Sequence, residues 1–146
     1  YEYLEFAGAM YGIPAKELRP RVQEMLELVS LAEQGAKFIA DYSRGMYQRL
    51  SLAAALIHKP QVLFLDEPFT GIDALGVHEM KDMLRRHAAE GGTVFFSSHI
   101  MELVEGLCTS FAIIHEGRIL GAQTMAEFNA QHPGVSLEEY LASFGA

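Results

Sequence analysis

The stretch Val62-Leu63-Phe64-Leu65-Asp66-Glu67-Pro68-Phe69-Thr70-Gly71-Ile72-Asp73 decides how the rest of the chain is read. Its leading apolar residues, Val62 to Leu65, run into the adjacent carboxylates of Asp66 and Glu67, and Pro68 then stops any strand. A short apolar run bounded by breakers predicts a strand buried on both faces, as in a parallel sheet with helices on each side. Ligands of such sheets lie beyond the carboxyl ends of the strands, which is where Asp66 and Glu67 fall. The dipeptide alone leaves a second reading open, in which the two acids begin a loop and favour the N-terminus of a following helix.

Downstream of Asp73, Val77, Met80, Met83 and Leu84 fall at helical spacing, predicting a helix over 75–89 that Gly91-Gly92 breaks. Thr93 to Phe96 forms a second apolar run, which ends in Ser97-Ser98-His99 before another helix over 100–107. Strand, polar residue and helix thus occur twice in succession. Short helical crossovers require parallel strands, so Asp66, Glu67 and His99 are predicted at one edge, where a carboxylate base and an imidazole could share a site. A structural histidine is the other reading of His99. His78 and His87 have no second ligand at metal spacing and read as helix-surface residues.

Upstream lies Asp41-Tyr42-Ser43-Arg44-Gly45-Met46-Tyr47-Gln48-Arg49, opening a helix whose Leu50, Ala53, Ala54 and Ile57 share a face. Ser43 is a natural N-cap. Free N–H groups and the partial positive charge of a helix start, together with a small serine and a glycine at Gly45, would let a phosphate approach the backbone. An ordinary capped helix accounts for the same residues. Earlier still, Leu4, Ala7, Gly8 and Tyr11 predict a helix over 1–11, and Pro20 is read near the start of a second helix with Val22, Met25, Leu26 and Val29 as its buried stripe. Residues 31–41 read as a connection that packs Phe38 and Ile39.

After His99, residues 111–115 and 118–122 flank Glu116-Gly117 as a hairpin, and 125–130 form a helix. Ser136 and Glu139 have capping-box spacing at the head of a last helix whose docking stripe is Leu137, Tyr140, Leu141 and Phe144.

Composition narrows the classes. At 146 residues, 50% of them hydrophobic, the chain has the size of one domain with a real core. The formal charge of −8, without a Lys/Arg cluster, argues against nucleic acid as a partner. The single cysteine, Cys108, excludes an intrachain disulfide and a cysteine-based metal cage and reads as a small apolar core residue. No apolar run approaches the roughly 18 residues of a membrane-spanning helix, so a soluble chain is expected. The start at Tyr1, already in a helical pattern, suggests a piece of a longer protein.

The serine–glycine helix start, the strand ending Asp66-Glu67-Pro68, the Gly71-Ile72-Asp73 loop and the strand ending Ser97-Ser98-His99 occur in an order that resembles the nucleotide-binding subunit of ATP-binding-cassette (ABC) transporters. The resemblance covers essentially the whole chain as the second half of that subunit. Residues 42–46 read Tyr-Ser-Arg-Gly-Met where the commonest signature is Leu-Ser-Gly-Gly-Gln, so only Ser43 and Gly45 match, and this form is similar to the second-type exporter branch.

The resemblance implies an α/β fold with a partial P-loop-NTPase-like (RecA-like) parallel sheet flanked by helices. Residues 1–59 would be the helical, signature-bearing subdomain, and residues 60–146 the C-terminal part of the ATPase core, with a β-hairpin and a final helix. It implies MgATP as the ligand, Asp66 as the Walker B carboxylate holding Mg²⁺ through water, Glu67 as general base and His99 as the switch histidine. Ser43 and Gly45 become the signature that contacts ATP on the opposite subunit, and Asp73 the loop residue that communicates across the dimer. The implied partners are a second ATP-binding subunit and a transmembrane permease, which places the protein at the cytoplasmic face of the membrane.

A Walker A loop ends in Gly-Lys-Ser/Thr, and here the lysines are Lys16, Lys37, Lys59 and Lys81, none of which follows a glycine. The chain alone is therefore expected to be inactive. In the family the strand before Walker A lies between the strand at Thr93 and the one at Phe111; without it those strands are expected to pair directly or to drive association. The alternative function is a non-catalytic binding module that docks a partner through its helical part.

Overall fold

The computed structural model describes residues 1–143. Phe144, expected in the last docking stripe, lies outside them. The chain forms two compact units, the first spanning Tyr1–Ser97 and the second beginning at Ser98.

In the first unit, α1 (Glu2–Met10), α2 (Ala15–Leu28) and α3 (Arg44–Leu56) pack on one another. Their shared core holds Leu4, Val22, Leu26, Val29, Ala53 and Ile57, all essentially inaccessible to solvent. Removing each large aliphatic side chain from water contributes roughly 1.5–3 kcal/mol, which is what holds these short helices in place. Pro20 is not at the start of α2. Pro14, in extended backbone at the N-cap, starts the helix, and Pro20 lies inside it without the N–H that an interior residue donates. The connection to α3 contains single 3₁₀ turns at Ala32–Gln34 and Ile39–Asp41. Phe38 stands between them at 81% exposure rather than packing as expected, and Ile39 is half-buried. The Tyr42 hydroxyl donates to the Gln34 carbonyl at 2.9 Å and pins this connection just before α3 begins.

Strand β1 (Val62–Leu65) pairs in parallel with β2 (Thr93–Phe96), Val62 opposite Thr93 and Leu65 opposite Phe96, with α4 (Ala74–Ala89) as the crossover. Helix α4 packs on β2 and on α3, burying Met80, Met83 and Leu84. One face of this two-stranded sheet is open, contrary to the expectation of a strand covered on both sides. Leu63 is buried, but Val62 is 47%, Phe64 75% and Phe95 55% exposed. The Phe64 and Phe95 rings stack with centroids 5.1 Å apart.

The second unit contains α5 (Met101–Leu107), β3 (Ser110–His115), β4 (Arg118–Thr124), α6 (Met125–Gln131) and α7 (Leu137–Ala142). Strands β3 and β4 form an antiparallel hairpin whose turn residues Glu116 (φ 48°) and Gly117 (φ 74°) are both left-handed, the arrangement that matches the twist of paired strands. Phe111 and Tyr140 meet Phe128 edge-on at 5.5 and 5.2 Å, closing a small aromatic core. Capping boxes start α6 (Thr124 with Glu127) and α7 (Ser136 with Glu139), and the Glu105 side chain accepts from the Leu137 N–H to join α5 to α7. Cys108 is half-buried, and burial pushes its thiol pKa up, in keeping with an inert thiol. Among the described residues β1 pairs with β2 and β3 with β4, each as a two-stranded sheet.

Candidate functional site

The parallel ladder of β1 and β2 ends at Leu65 and Phe96, and the next residues carry the polar groups. The Ser97 N–H still donates to the Leu65 carbonyl at 3.0 Å, continuing the ladder by one bond. Beyond it a side chain takes over from the backbone. The Ser97 hydroxyl donates to Asp66 Oδ1 at 2.6 Å and accepts from the Glu67 N–H at 2.8 Å. Glu67 has φ +43°, a left-handed conformation that costs a non-glycine residue on the order of 1–2 kcal/mol. It is held by the Ser97 bond, by the turn bond from Thr70 N to Glu67 O at 3.2 Å, and by Thr70 Oγ1 donating to Glu67 Oε2 at 3.3 Å. Pro68 and Phe69, both buried, anchor the turn, with the Phe69 ring edge-on to Phe96 at 5.7 Å. The chain therefore leaves β1 with two carboxylates fixed in a sharp, partly strained exit.

A second cluster forms where α3 and α4 begin. Ser43 caps α3 by accepting from Met46 N at 3.2 Å. Asp73 caps α4 by accepting from Gly76 N on Oδ1 at 2.8 Å. The helix-start role that the sequence left open for Asp66 and Glu67 thus belongs to Asp73. An open cleft of about 310 Å³ runs between Ser43–Met46 and Gly71–Asp73, with Arg44 and Arg49 among its walls. Gly45 faces the Gly71 carbonyl across it; a Cβ there would stand 3.8 Å from that oxygen, an ordinary contact.

The structure brings Asp66 and Glu67 together at the end of β1, and Ser43, Gly45 and Asp73 together around the cleft. His99 is exposed in the second unit, just ahead of α5, where Ser98 Oγ accepts from Ile100 N at 3.1 Å. Sequence reasoning missed Ser97. Its signal was present in the register, since aligning the ends of the two apolar runs sets Ser97 beside Asp66.

Residues 5–70 match the family model described as ABC transporter. An uncharacterised ABC transporter ATP-binding protein of Nostoc sp. is 40% identical over 129 residues, covering 87% of this chain and 38% of the relative. The daunorubicin resistance ATP-binding protein DrrA3 of Streptomyces coeruleorubidus is 37% identical over 142 residues, covering 97% and 45%. A solved ATP-binding subunit of an ABC transporter superposes with a TM-score of 0.88 at 30% identity, over 99% of this chain and 61% of that one. The chain thus spans less than half the length of these two curated relatives. Over the stretch it shares with them, the chain belongs to the family of ABC transporter ATP-binding proteins.

Proposed function

We propose that the chain supplies the signature and hydrolytic portion of a subunit that hydrolyses MgATP at a site shared with a second ATP-binding subunit and so drives transport through a membrane permease. The observation that carries this reading is the strained exit of β1, which holds Asp66 and Glu67 side by side at the carboxyl end of a parallel strand. Phosphoryl transfer to water needs charge neutralisation by a divalent cation and a carboxylate to orient the attacking water. Glu67 is the general base in this reading, Asp66 the carboxylate toward the cation, and His99 the contact to the γ-phosphate.

The donor set fits Mg²⁺. Among the described residues no group of three or more His, Cys, Asp or Glu could hold a metal by itself. Mg²⁺ commonly keeps several waters and takes one or two carboxylates plus substrate phosphates. Asp66, with one oxygen committed to Ser97, leaves the other for such a hydrated ion. Ser43 and Gly45, at the start of the capped α3, present backbone N–H groups suited to a phosphate held by the opposite subunit, and Asp73 sits across the same cleft.

Residues 1–59 act as the helical subdomain and residues 60–146 as the C-terminal part of the ATPase core. Tyr3, Phe6 and Met10 lie exposed at helical spacing on α1, which supports a partner surface on the helical part. No described helix is long and apolar enough to cross a membrane. In this reading the subunit reaches the membrane through the permease, at the cytoplasmic face. The 42–46 signature supports the second-type exporter branch.

In the full-length protein, Glu67→Gln removes the proton acceptor and keeps its shape, so steady-state ATP hydrolysis should fall by about 10²–10⁴-fold while ATP binding is retained. Near-normal turnover would overturn the assignment and favour a non-catalytic module.

A further inference from the structure

The Ser97 hydroxyl touches both functional positions at the end of β1, and the preceding reading gives it no part. We propose that Ser97 is a positioning residue that sets the Asp66 carboxylate toward the hydrated Mg²⁺ and holds Glu67 in its left-handed exit. This inference rests on the assignment of Asp66 and Glu67 above.

The geometry is specific to a hydroxyl. Ser97 donates its only proton to Asp66 Oδ1 at 2.6 Å and uses a lone pair to accept from the Glu67 N–H at 2.8 Å. The short distance to a carboxylate is that of a charge-assisted bond, the stronger kind. Occupying Oδ1 fixes the rotation of the carboxylate, so that Oδ2 is presented in one orientation to the water shell of a cation. The second bond ties down the amide of Glu67 at φ +43°, where the backbone would otherwise relax and carry the catalytic carboxylate with it. The Ser97 N–H to Leu65 carbonyl bond places the hydroxyl by backbone register, so its position is inherited from the β1–β2 ladder. Alanine lacks the group altogether. Cysteine offers only a weak donor on a longer bond. Threonine retains the hydroxyl on a β-branched side chain suited to a strand end.

The test uses the full-length protein with Ser97→Ala and Ser97→Thr. Ser97 is exposed, so neither change disturbs the core. Partners that orient metal-facing carboxylates typically matter by about 10–100-fold, so Ser97→Ala should lower kcat or raise the Mg²⁺ concentration for half-maximal hydrolysis by roughly that factor, and Ser97→Thr should recover most of the loss. Without nucleotide or metal, hydrogen exchange at the Glu67 amide should quicken in Ser97→Ala and stay slow in Ser97→Thr. Wild-type Mg²⁺ dependence together with unchanged Glu67 exchange in Ser97→Ala would overturn the proposal, as would equal impairment of both variants, which would indicate side-chain volume rather than the hydroxyl. If the unsubstituted protein shows no Mg²⁺-dependent hydrolysis, the ATPase reading fails by itself, while the amide measurement still reports whether Ser97 latches Glu67.

Discussion

Arg49 on α3 reaches Glu79 on α4, Nη1 to Oε2 at 3.0 Å, with both side chains about four-fifths removed from solvent. Ser30, just after α2, donates its hydroxyl to the other oxygen of Glu79 at 3.0 Å. The pair joins the helix that starts at the serine–glycine turn to the helix that Asp73 caps, and Arg49 itself borders the cleft between the two starts. Partial burial makes this bond stronger than a surface ion pair. Glu79→Ala should destabilise the first unit by about 1–3 kcal/mol, because it leaves the guanidinium without its acceptor. A double-mutant cycle with Arg49→Ala, read by denaturant unfolding, checks it; a coupling within error of zero would reduce the pair to an incidental contact.

Gly45→Asp should separate folding from function. The position has room for a side chain, since the nearest atom to a Cβ is the Gly71 carbonyl at 3.8 Å. An acidic residue in the first turn also suits the helix dipole, so thermal stability should hold or rise slightly. If, as proposed, this helix start meets a phosphate held by a second subunit, hydrolysis by the full-length protein should nevertheless fall, because the new carboxylate would oppose that phosphate, whereas ATP binding to the monomer should persist. Unchanged hydrolysis would show that this helix start faces no phosphate.

Parts of this arrangement were legible in the sequence because they depend on neighbours in the chain. Ser43 as a cap, the Glu116-Gly117 turn and the Ser136/Glu139 box are local chemistry, and all form as read. The Thr124/Glu127 box has the same spacing and went unread, although the signal was there. The exposure of Phe64 was not legible: a four-residue apolar run looks the same whether one face of its strand is covered or both. Pro20 misled because proline is favoured in the first turn, whereas the helix already begins after Pro14 at the N-cap and Pro20 falls in its interior. Ser97 depends on register between strands that are distant in sequence, so its role emerges only when β1 and β2 are laid side by side.

The second unit should weaken in acid. Hydrogen bonds from the Thr124 backbone and side chain hold the Glu127 carboxyl below the usual range, and those from Ser136 do the same for Glu139. A depressed folded-state pKa gives stability that is complete above the unfolded value, near 4.5, and is lost as pH falls through the folded value. Amide protection in α6 and α7, measured relative to the intrinsic exchange rate at each pH, should therefore fall below about pH 4.5, and Glu127→Gln with Glu139→Gln should flatten that dependence. An acid response identical in the double variant would place the sensitivity elsewhere.

The isolated 146 residues should bind MgATP weakly. No lysine of the chain follows a glycine, so the backbone nest and lysine that grip phosphates in a Gly-Lys-Ser/Thr loop have no counterpart in it. Isothermal titration should find no affinity in the micromolar range. A micromolar dissociation constant would mean that the Ser43 cleft or the β1 exit binds nucleotide unaided.

The last prediction concerns the open face of the β1–β2 sheet. Val62, Phe64 and Phe95 are side by side in the parallel register, Phe64 opposite Phe95, and all three are roughly half or more exposed. A contiguous apolar patch on a two-stranded sheet is one that a protein in water covers, and each strand also offers an outer edge of unpaired N–H and C=O groups. The net charge of −8 opposes close approach of two copies, but at physiological ionic strength it is screened beyond about 8 Å. The isolated chain should therefore self-associate, with a mass by light scattering that rises with concentration. Phe64→Lys with Phe95→Lys should bring it to a monomer, because the two substitutions remove the stacked rings from the patch and set like charges directly opposite each other on the same face. A chain that stays monomeric at high concentration, or a double variant that associates as strongly as the unsubstituted one, would exclude this face as the contact.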